Sequence, residues 1–184
     1  MVSVVSLWLP ILISAVLVFV ASSIIHMALP WHNADFRRFA AEDSVLDVLR
    51  PFELAPGDYV APMPESMAQS NTPEFKAKIE QGPRVMLTVL SPGNSMGRNL
   101  ALWFVYLIVV GLLAAYVTGI SLGSGAPYMS VFRMSSTVAF AGYALAIWQN
   151  WIWYSRGLGY TLRTTIDGLV YALLTGGVFG WLWP

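Results

Sequence analysis

The sequence predicts an all-α fold, a bundle of four transmembrane helices with a membrane-associated loop carrying short helices between the first and the second. Three observations carry that expectation. Of 184 residues, 57% are hydrophobic and 11% are charged, a ratio of about five to one where soluble domains show about two. The charges are also segregated: nine acids and seven bases lie between Asp35 and Arg98, leaving Arg133, Arg156, Arg163 and Asp167 for the rest. The uncharged stretches are long enough for lipid, since a hydrocarbon core of about 30 Å needs about 20 apolar helical residues.

Residues 1–29 form the first predicted span, running from about Val4 to Leu29 and stopped by Pro30. A cleaved signal peptide is disfavoured here, because no Lys or Arg precedes the apolar run and the run exceeds the usual length. Residues 30–99 form the loop. Within it, Ala41 to Arg50 reads as a short amphipathic helix ended by Pro51, and Thr72-Pro73-Glu74 starts a second helix that Gly82 stops. Between them, the prolines of 55–64 enforce an extended chain, and Val85 to Leu90 is a candidate strand or interfacial segment. Residues 100–184 hold three further spans, at about Leu100 to Leu122, Phe132 to Trp153 and Arg163 to Trp183. All eight tryptophans fall near proposed helix ends, where indole sits at the headgroup level.

Small residues recur every fourth position on the last span, at Gly168, Ala172, Gly176 and Gly180, and on the second at Gly111, Ala115 and Gly119. Such stripes let helix backbones approach closely in lipid, so they are expected to pack the bundle or a membrane-protein partner or second copy. Four crossings place Arg37, Arg38, Arg98, Arg156 and Arg163 on one side and only Arg133 on the other. The arginine-rich side is then cytoplasmic, with both termini outside. The expected setting is a multi-pass protein of a plasma membrane, of bacterial inner-membrane type.

Charge pairing is expected at two places. Asp167, read as standing near the start of the last helix, complements the dipole and pairs with Arg163 one turn earlier. Arg133, alone on the outer side, has the terminal carboxylate of Pro184 or a lipid phosphate as its counter-charge.

Chemistry concentrates in His26-Met27-Ala28-Leu29-Pro30-Trp31-His32-Asn33-Ala34-Asp35. Two imidazoles and a carboxylate make His26, His32 and Asp35 a candidate site for a divalent metal, the only cofactor the sequence suggests. The chain has no cysteine and equal numbers of acids and bases, which excludes thiolate-ligated centres and a nucleic-acid reader working by phosphate neutralisation. No phosphate loop, Ser-His-Asp arrangement or zinc-protease motif occurs. The function expected first is therefore an accessory, assembly or structural component without catalysis of its own. The alternatives are a small membrane enzyme or metal-handling protein using His26, His32 and Asp35, and a transporter subunit.

Overall fold

The computed structural model describes residues 1–184 and divides into two compact units, residues 1–37 with 96–184 and residues 38–95. The first is helical. Its first helix, α1 (Trp8–Ser23), is preceded by a 3-10 turn at Val4–Leu7 and followed by a π turn at Ile24–Ala28. Pro30 then begins a 3-10 turn, Pro30–His32. Residues 30–37, which composition assigns to the loop, thus cluster with the helices.

The second unit contains α2 (Glu42–Leu49), β1 (Gly57–Ala61), α3 (Met67–Ser70), α4 (Pro73–Gln81) and β2 (Val85–Val89). The helices follow their sequence signals: the Thr72 hydroxyl accepts from the Phe75 N–H at 3.2 Å, and Gly82 closes α4 at φ 58°, a conformation glycine adopts without strain. The two strands pair antiparallel from Gly57 opposite Val89 to Ala61 opposite Val85. This small sheet is the exception to a chain that is otherwise helical as expected. Two segments read separately as extended find each other 30 residues apart, and Thr88 donates across the ladder to Asp58 at 2.7 Å. Phe75 is the only buried residue of this unit.

The helical unit continues with α5 (Met96–Ser121), α6 (Tyr128–Ala144), α7 (Trp148–Tyr154) and α8 (Leu158–Trp181). Three stretches are long and apolar enough to cross a membrane: Val4–Ala28, Met96–Ser121 and Tyr128–Tyr154. That is one fewer than the four expected. The long helix α8 is less apolar because its first half carries Thr161, Arg163, Thr164, Thr165 and Asp167. Its threonine hydroxyls are satisfied within the helix, since those of Thr164 and Thr165 donate to the carbonyls one turn back at 2.9 and 2.7 Å.

The small-residue stripe of α8 faces α6. A Cβ added at Gly168 would stand 2.9 Å from the Ala144 Cβ, and at Gly176 2.7 Å from the Ser136 Cβ and 2.9 Å from the Phe132 carbonyl oxygen. At Gly180 it would meet the Tyr128 ring at 2.6 Å, and Ala172 between them is buried. On α5, Gly111 lies against Ile11, Ala115 is buried, and Gly119 lies under the Val2 carbonyl. One end of the bundle is closed by backbone groups and one indole. Val2 N–H donates to Gly119 at 2.8 Å, Gly125 N–H to Pro184 at 2.7 Å, and the Trp183 indole to Gly123 at 2.9 Å.

The expected pairings of Arg133 with Pro184 and of Arg163 with Asp167 are both corrected. Pro184 is engaged by Gly125, while Arg133 is exposed and makes no ion pair. Helix α8 starts at Leu158, which places Asp167 in its interior, beyond the reach of the first-turn dipole. Arg163 turns to Asp35 instead.

Candidate functional site: a buried histidine–carboxylate network beside a cavity

At the opposite end from the backbone closure, the short turn after α1 brings Trp31, His32 and Asp35 onto α8. Proline at 30 fixes the first position of that turn, and Asn33 and Asp35 donate their N–H groups to the carbonyls of Pro30 and His32. The resulting geometry puts one imidazole between two carboxylates. His32 Nδ1 lies 2.5 Å from Asp35 Oδ2, and Nε2 lies 2.9 Å from Asp167 Oδ2. Arg163 donates from Nε to Asp35 Oδ1 at 2.8 Å and from Nη2 to the same oxygen. The Trp31 indole donates to Asp167 Oδ1 at 3.1 Å.

Both carboxylates are 3% exposed and the His32 ring 13%, so the charges are desolvated and need the partners they have. Burial pushes the Asp35 carboxyl upward, but the hydrogen bonds from His32 and Arg163, with the guanidinium charge, outweigh it. Asp35 is left below the ordinary carboxylate range.

His26 belongs to the same cluster by a different contact. It sits on the π turn, a helix irregularity frequent at functional positions. Its ring stacks on His32 with centroids 4.2 Å apart and planes 23° apart, and its Nε2 is 3.4 Å from the Tyr171 hydroxyl. One ligating atom each from His26, His32 and Asp167 lies within 4.8 Å of the others. The structure thus gathers the three expected residues His26, His32 and Asp35, and adds Asp167 and Arg163, which the sequence assigns to each other.

His26 and Asp167 also line a cavity of about 810 Å³. Its walls are aromatic and aliphatic, with Leu102, Trp103, Tyr106, Tyr143 and Ile147, and its other polar members include Asn99, Asn150 and Thr164. The wall is internally braced: Trp103 donates to the Ser22 hydroxyl at 2.9 Å, and Tyr106 donates to the Gly142 carbonyl at 2.5 Å. Gly142 itself packs on Val110, where an added Cβ would stand 3.2 Å from both valine methyl groups.

Sequence reasoning misses the convergence on Asp167. The signal was available, because Asp167 is the only acid outside residues 35–98, and an acid inside an apolar helix marks a paired or functional position. Comparison with protein-family models, with curated proteins and with solved structures finds no match.

Proposed function

We propose that this chain is a four-span integral membrane protein that holds an amphiphilic, lipid-like molecule in its lateral cavity and serves a membrane system as a binding or accessory component. The observation that supports it is the lining of that cavity. Aromatic and aliphatic side chains from segments apolar enough to span a bilayer meet His26, Asp167, Asn99 and Asn150, a composition that suits a molecule with an apolar tail and a polar head. The fourth span is α8, whose 24 residues reach about 36 Å at 1.5 Å each. Its charged positions are compatible with a bilayer because Arg163 and Asp167 face partners inside the bundle. The arginine asymmetry orients the network end toward the cytoplasm and both termini outward, as in a bacterial inner membrane.

A transporter subunit is the weaker reading, since no charged side chain lies midway along the three apolar spans. An assembly role through the α8 glycines is also weakened, because those residues are already occupied by α6.

The test is lipid retention. Wild-type protein purified in detergent should carry about one tightly held amphiphile per chain by native mass spectrometry. Ala146→Phe, which adds a ring at the cavity wall, should release it. Equal retention by the two proteins contradicts the reading.

A further inference from the structure

His26 is the one member of the polar cluster that the ionic network does not need. Arg163, Asp35, His32, Asp167 and Trp31 already satisfy one another in a continuous chain of donors and acceptors. His26 adds no ion pair to that chain. It is stacked against His32 and touches Tyr171 only at 3.4 Å, which leaves an imidazole with weakly used nitrogens beside a second imidazole and a buried carboxylate.

We propose that His26, His32 and Asp167 bind a divalent transition-metal cation of the zinc type, seated where His32 Nε2 meets Asp167 Oδ2. Their ligating atoms lie within 4.8 Å of one another, close enough to converge on one ion through small side-chain rotations. Two imidazole nitrogens and a carboxylate oxygen form a donor set that suits zinc, and three protein ligands leave a fourth position open. His26 and Asp167 both line the cavity, so the open position faces that space.

The surroundings are those of a metal site with its supporting shell in place. With Nε2 on the metal, His32 carries its proton on Nδ1 and donates it to Asp35, the carboxylate–histidine arrangement that fixes the ring's tautomer and orientation. Asp35 is in turn held by Arg163, and Asp167 Oδ1 by the Trp31 indole. Asp35, which the sequence offers as a ligand, becomes the support of one, and Asp167 takes its place. This inference goes beyond the lipid-holding reading and stands whether or not an amphiphile fills the cavity.

The experiment uses the full chain, purified in detergent, stripped of metal and titrated with Zn2+, then with Co2+ as a visible-spectrum probe of coordination. One ion per chain is expected. His26→Ala should bind Zn2+ on the order of 100-fold more weakly, and Asp35→Asn about 10–100-fold more weakly, the usual cost of losing a supporting partner. Because His26 has only the stack on His32 and the 3.4 Å approach to Tyr171, His26→Ala should lower the metal-free melting temperature by no more than a few degrees. Zn2+ should then raise the melting temperature of wild type and not of His26→Ala. Absence of stoichiometric binding, or equal Zn2+ affinity in wild type and His26→Ala, overturns the proposal.

Discussion

The two ends of the helical unit are closed by different chemistry. At one end the main-chain groups of Val2 and Gly119, and of Gly125 and Pro184, meet directly, and a single side chain, the Trp183 indole, donates to the Gly123 carbonyl. At the other, closure depends on five particular side chains, two of them carboxylates with 3% exposure. Main-chain closure fixes geometry and leaves nothing reactive. Ionic closure places an imidazole, two carboxylates and a guanidinium beside a cavity. A network that breaks when one member is lost is a costly way to tie a turn to a helix, and it is present at only one end, the end for which a site is proposed.

The contrast is broken most severely by Asp167→Leu. The change leaves the Trp31 indole and His32 Nε2 without their acceptor in a desolvated site, and should lower stability by about 3–5 kcal/mol, read by thermal unfolding in detergent. Gly176→Leu acts away from the network, on the α6–α8 contact. Even a Cβ there falls 2.9 Å from the Phe132 carbonyl oxygen, so a loss of about 1–3 kcal/mol is expected, against little change for Leu173→Ala on the exposed face. Arg133→Gln should have the smallest effect, within about 0.5 kcal/mol, because the exposed guanidinium makes no ion pair. If Arg133→Gln proved as damaging as Asp167→Leu, the asymmetry between the ends would be lost.

What the sequence reveals follows the range of the interaction that decides it. Helix positions are set by local composition, and Pro30, Thr72, Gly82 and the breaker run 123–127 mark boundaries within a few residues of those observed. The small residues of α8 are legible because their spacing is a property of one helix. The β1–β2 ladder is not, since pairing joins 57–61 to 85–89 across two intervening helices. The site was half legible. His26, His32 and Asp35 stand within ten residues and announce themselves, whereas the contacts of His32 with Asp167 and of Asp35 with Arg163 span 135 and 128 residues. Proximity in sequence suggested pairing Arg163 with Asp167, and tertiary packing chose otherwise. The cavity, formed by side chains of separate helices that leave a space, has no sequence signature at all.

Everything proposed for the site presupposes that α8 crosses the membrane beside the three more apolar helices, with the network on the inner side. Single cysteines at Ser3, Ser66, Ser124 and Leu182, in a chain that has none of its own, test this directly with a membrane-impermeant thiol reagent on intact cells. The account predicts labelling at positions 3, 124 and 182 and protection at 66 until the membrane is permeabilised. Protection of position 182 together with 66 would mean that α8 does not cross, and would contradict it.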